Sequence, residues 1–105
     1  MSEYFNRIEP AFDATRPTKA DLARGETLFA GVNCFERGQT QAMHVHRDAD
    51  KFYFVVSGKA RITVGGESEV VGAGVLVWAP AKAPHGVTEV FEPTVLLVAI
   101  SPPPG

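Results

Sequence analysis

The chain has 105 residues, 45% hydrophobic and 21% charged, a balance that suits one small globular domain. Ten Lys and Arg stand against twelve Asp and Glu, a formal charge of -2 spread along the chain, which leaves no basic face for phosphates and argues against nucleic acid as a partner. The longest apolar runs fall far short of a membrane span, and the amino-terminal MSEYFNRIEP lacks the charged-then-apolar order of a signal peptide, so the expected location is the cytoplasm.

Residues 1–17 contain Pro10 and Pro17 and no sustained period, yet Tyr4, Phe5, Ile8 and Phe12 are apolar enough to pack. Residues 1–25 are therefore expected to form an N-terminal arm packing on the domain that follows. Thr18 to Asp21 has the spacing of a capping box and Gly25 can close a turn, which predicts a short helical turn there. From Glu26 the pattern changes to short stretches rich in Val, Phe and Thr, cut by glycines about every eight residues, an all-β signature. Strands are predicted at 27–36, 39–46, 51–56, 60–64, 67–71, 75–78, 87–91 and 95–100. Gly65-Gly66 reads as a two-residue hairpin turn with positive φ at both central positions. Ser57-Gly58 and Gly72-Ala73-Gly74 mark further turns, and the terminal Ser-Pro-Pro-Pro-Gly cannot continue a ladder. A small antiparallel β-barrel or jelly roll over 26–105 is the simplest architecture, because closure removes exposed strand edges.

Cys34 is the only cysteine, which excludes an internal disulfide and a multi-cysteine zinc cluster; it reads as a small buried strand residue. The three histidines carry more. His44 and His46 are two residues apart and share one face of an extended strand, and His85 ends a second apolar run. Any one alone would be an ordinary core or surface imidazole. Together, if the second run neighbours the first, they converge on a site for a divalent transition metal. Neutral imidazole suits Zn, Fe, Mn, Ni, Co or Cu, and three histidines with open positions suit a catalytic rather than a closed structural site.

Two stretches carry a family resemblance. GQTQAMHVHRDADKFYFVVSG (38–58) sets a glycine, a His-any-His pair and a second glycine at the spacing of the first motif of the cupin superfamily. Gly74, Pro80 and His85 match its second. The chain thus resembles a small single-domain cupin, which implies a six- to eight-stranded jelly-roll barrel, metal held by His44, His46 and His85, and, with the apolar arm, a homodimer. Lys51 occupies the slot where that family usually places a glutamate ligand, and Lys82 replaces a glycine after the motif proline.

Even offsets put Lys51 and Tyr53 on one face, which points into the barrel if the register resembles that of cupins, with Asp50 pointing away. An ammonium beside a cation is repelled and costly to bury, so Lys51 must lose its proton, swing to the mouth, or pair with Glu89 or Asp50. A one-residue bulge in the 47–50 turn would instead bring Asp50 inward as a ligand, against its simpler role as a turn-former. Lys51 and Tyr53 are the candidate catalytic groups, as movers of a proton. Cupins of this length include isomerases, cyclases and dioxygenases, which points to a metal-dependent enzyme on a small oxygenated or anionic molecule. A non-catalytic ligand-binding module and an inactive relative are the alternatives.

Overall fold

The computed structural model describes residues 4–105 and is all-β. Its strands are β1 (Thr18–Arg24), β2 (Phe29–Phe35), β3 (Gln41–His44), β4 (Asp50–Val64), β5 (Glu67–Gly72), β6 (Leu76–Ala79) and β7 (His85–Ser101). All pairings are antiparallel.

Two long strands organise the rest. The first part of β4 pairs with the last part of β7, from Asp50 opposite Ser101 to Ser57 opposite Val95; its second part pairs with the first part of β7, down to Val64 opposite His85. β1 and β2 extend the sheet on the β7 side, and β6 joins on the β4 side opposite Lys51–Phe54. In the other half β3 pairs with β7 and β5 with β4. Four register shifts, three of them between Val55 and Ala60, mark the bend by which β4 passes from one half to the other. The buried set changes there from the odd positions 51, 53 and 55 to the even 60 and 62, as an odd number of extra residues in the bend requires. The core lies between the halves: Phe35, Tyr53, Val55, Ala60, Ile62, Val87, Leu96 and Val98 are all buried in one cluster.

Two expectations are corrected. The predicted helical turn at 18–25 is the strand β1, paired from Thr18 opposite Cys34 to Arg24 opposite Phe29, with a register shift between Asp21 and Ala23. A single helical turn is costly to nucleate, whereas these residues gain a ladder against β2, and Gly25 closes the hairpin by donating its N–H to Leu28 O at 2.8 Å. The second correction concerns punctuation. The predicted pairs 51–56 with 60–64, and 87–91 with 95–100, are each one continuous strand, because Ser57-Gly58 and Glu92-Pro93 are corners of the jelly roll, not chain reversals. At the β4–β5 hairpin only Gly65, at φ 58°, is left-handed.

From the arm, Ile8 packs with Leu22 against Val32, Cys34 and Val95 on the outer side of β2 and β7. Tyr4 and Phe5 stay exposed. Among the described residues no helix is long and apolar enough to cross a membrane.

Candidate metal centre

The three histidines meet because of two pairings. His44 ends β3 directly opposite His85, the first residue of β7. Residues opposite each other on an antiparallel ladder point to the same side, so one pair delivers two imidazoles to the barrel interior. Their ring centroids are 4.4 Å apart. His46 follows β3 and is fixed through its backbone: its carbonyl accepts the Lys82 N–H at 2.8 Å. It brings the third ring 5.1 Å from His44 and 5.2 Å from His85. One nitrogen from each residue lies within 4.8 Å of the others.

Hydrogen bonding decides which nitrogens face inward. His44 Nδ1 is 2.9 Å from Ala42 O and His85 Nδ1 is 2.9 Å from Ala83 O. A carbonyl only accepts, so each Nδ1 carries the proton and donates, leaving the Nε2 lone pair for the site. His85 Nε2 is buried without any hydrogen-bond partner, a costly arrangement that a metal ion would relieve. The protonation states agree with this. Burial above all, with weaker repulsion from His44, Lys51 and His46, takes His85 down to about 4, against a smaller upward pull from its bond to Ala83. Burial, then Lys51, lowers His46 as well. Both rings therefore favour the neutral form that binds metals. The donor set fits a borderline divalent ion held by three nitrogens with positions left open.

Close approach of β3 depends on Gly86. A Cβ built there would lie 2.8 Å from Gln41 O and 3.0 Å from both C and O of Ala42. Gly86→Ala must push β3 outward and take His44 with it. Metal affinity is expected to fall about tenfold or more, the scale seen when a ligand's support is disturbed; a binding isotherm matching wild type would contradict this account of how β3 is seated.

Lys51 follows none of its three expected routes in full. It is 4% exposed, pairs with neither proposed acid, and holds Nζ 4.5 Å from the centre of the Tyr53 ring. Glu89 faces Arg61 at 3.4 Å instead. Burial, and then repulsion from Lys19, pushes the amine down to about 8. Asp50 is exposed and accepts the N–H of the distant Ala81 at 2.8 Å, so it neither bonds its own turn nor joins the histidine group. Tyr53 is fully buried; burial raises its phenol, whose hydroxyl donates to Gln41 Oε1 at 2.6 Å. The contribution of Gln41 was not foreseen, and only the strand register brings it to Tyr53. Lys82 keeps the left-handed backbone that a glycine would suit, at φ 74°.

The Lys51 shift has a consequence for stability. With the folded value near 8 and the unfolded one near 10.5, the unfolded chain holds more protons between those pH values, so stability of the metal-free protein rises with pH across that window and the full penalty applies below pH 8. Lys51→Met is expected to stabilise the metal-free protein at pH 7 by about 1–3 kcal/mol and to flatten that rise. Denaturant titrations at pH 7 and 10 showing an unchanged slope would refute it.

The site opens into a cavity of about 320 Å³ whose walls include Lys19, Asn33, Gln41, His44, His46 and Lys51. A larger cavity of about 690 Å³ between β5 and β6 is lined by Trp78, Leu76 and Glu67 among others and holds no histidine. The chemistry is therefore assigned to the smaller one.

Comparison with known proteins agrees with this geometry. The cupin domain family matches residues 31–100. An uncharacterised protein of Streptomyces coelicolor is 38% identical over 80 residues, covering 76% of this chain and 75% of that protein. The crystal structure of TT1209 from Thermus thermophilus superposes with a TM-score of 0.85 at 31% identity, over 90% of this chain and 91% of that one. KdgF from a Halomonas species shares the fold, with a TM-score of 0.81 at 23% identity over 89% and 86% of the two chains. A jelly roll in which β3, the residues just after it and the start of β7 bring three histidines to one point, and a family match over residues 31–100, make this chain a member of the cupin family.

Proposed function

We propose that this cupin is a metal-dependent enzyme acting on a small oxygenated or anionic molecule, of the isomerase, cyclase or dioxygenase kind. The observation that carries this reading is the unpartnered Nε2 of His85, grouped with His44 and His46 beside a cavity large enough for a small molecule. A divalent ion bound there would act as a Lewis acid on a carbonyl or hydroxyl oxygen of the substrate. The protein's own groups do the rest. Burial takes the Lys51 amine down to about 8, which supports it as the group that gives or takes a proton close to neutrality. Tyr53 is the second candidate proton carrier; it is buried behind the cavity wall, and its hydroxyl donates to the Gln41 amide that lines that wall, which would link it to a bound ligand. The apolar part of the cavity wall, with Phe29, Val98 and Ile100, excludes water from one side.

The test is elemental analysis of untagged protein, then turnover screening of the metal-loaded form against hydroxy acids, keto acids and sugar acids. Turnover that needs the metal and is lost in His46→Ala supports the enzyme. Stoichiometric metal with no turnover of any tested class supports a binding module instead. Lys51→Gln is expected to keep the metal and to move the pH profile; a profile identical to wild type would remove Lys51 from proton transfer.

A further inference from the structure

We propose that the cavity binds a short aliphatic carboxylate whose anionic group sits between the Lys51 ammonium and the histidine trio. This rests on the metal-dependent reading above and names the substrate class of that site. Lys51 is buried, faces the cavity, and has no carboxylate partner among the described residues. A second ammonium, Lys19, lines the same space, and the one acid on the wall is Asp21. Three neutral imidazoles cancel none of a divalent ion's charge, so the loaded cavity, with two ammoniums and Asp21 alone against them, carries a large positive excess. Buried positive charge of this kind is stabilised by an anion from outside.

The donors choose the anion. No arginine is among the residues that line the cavity, and a phosphate is best held by the forked donors that arginine supplies. A carboxylate is matched by one ammonium and one open metal position. Phe29, Val98 and Ile100 offer a short hydrocarbon chain an apolar wall, and the amides of Asn33 and Gln41 suit a hydroxyl or keto oxygen on that chain. Lys51 is thus assigned to hold and select the substrate before any proton moves.

Calorimetry with lactate and with neutral lactamide, nearly identical in shape, isolates the charge. Metal-loaded protein of measured metal content is expected to bind lactate about tenfold or more tightly than lactamide. Lys51→Gln should abolish that preference with metal retained, and Lys51→Arg should keep much of it. Wild-type protein that holds metal but does not discriminate, or a Lys51→Gln variant that still does, overturns the proposal while leaving the metal site standing. Protein that never takes up metal fails the earlier reading instead. In either background, lactate and not lactamide should protect Lys51 from acetylation by acetic anhydride, read by mass spectrometry; equal labelling in both also overturns it.

Discussion

The His44→Ala, His85→Ala double variant is expected to purify without stoichiometric metal, whatever ion the wild type carries. Two of three nitrogen ligands are gone, and what remains is a single half-buried imidazole, His46. Site affinity should drop by at least about a thousandfold, since a ligand set of this kind binds cooperatively through geometry that one ring cannot supply. Elemental analysis after dialysis measures the effect. His85 is fully buried, so its removal also leaves a void, and folding of the variant must be checked by circular dichroism. The half-exposed His46→Ala separates the two effects: it should lose metal while melting close to the metal-free wild type. Stoichiometric metal in the double variant would refute the site and the function built on it.

The second large effect belongs to Gly58. This residue sits at the corner where β4 changes partners, with φ 96°. A Cβ there would lie 2.4 Å from Pro93 O, 2.4 Å from Thr94 Oγ1 and 2.5 Å from Thr94 Cα. Two of those atoms are backbone of the paired strand and cannot turn away. Thr94 is itself pinned, its Oγ1 accepting Lys59 N–H at 3.1 Å and donating to Glu92 O at 2.8 Å. Gly58→Ala thus combines an unfavourable backbone conformation with overpacking, and should cost about 3–5 kcal/mol. Against a total of roughly 5–15 kcal/mol, that lowers the melting temperature by more than about 12 °C. A shift of only a few degrees would show that the corner yields more easily than its contacts indicate.

How far the sequence could be read differs from residue to residue, for physical reasons. The alternation of apolar and polar residues from Glu26 onward made the strands visible, since a half-buried strand needs a period of two. The His44–His46 spacing showed a shared face for the same reason. Ser57-Gly58 looked like a reversal because a glycine with positive φ serves a hairpin and a sheet corner equally well, and only the partner atoms of Pro93 and Thr94 distinguish them. The stretch from Thr18 to Gly25 carried a helix-start signal that β2 overrode, because a ladder along seven residues outweighs one local cap.

The fate of Lys51 shows the limit most clearly. Strand parity put its side chain on the face of Tyr53 and the resemblance to cupins turned that face inward, but whether the amine would find Glu89 or Asp50 depended on contacts far along the chain, and Arg61 and Ala81 hold those acids. From sequence came the class of fold, from its strand period, and the three candidate ligands and the inward face, from residue chemistry together with the resemblance to the cupin motifs. Tertiary structure alone decided that His85 faces His44 across a ladder with its Nε2 unpartnered, and that Lys51 lies buried in the wall of the cavity lined by His44 and His46, paired with no acid among the described residues. Those outcomes rest on register and on the bends at the corners, which depend on pairings tens of residues apart that no local pattern encodes.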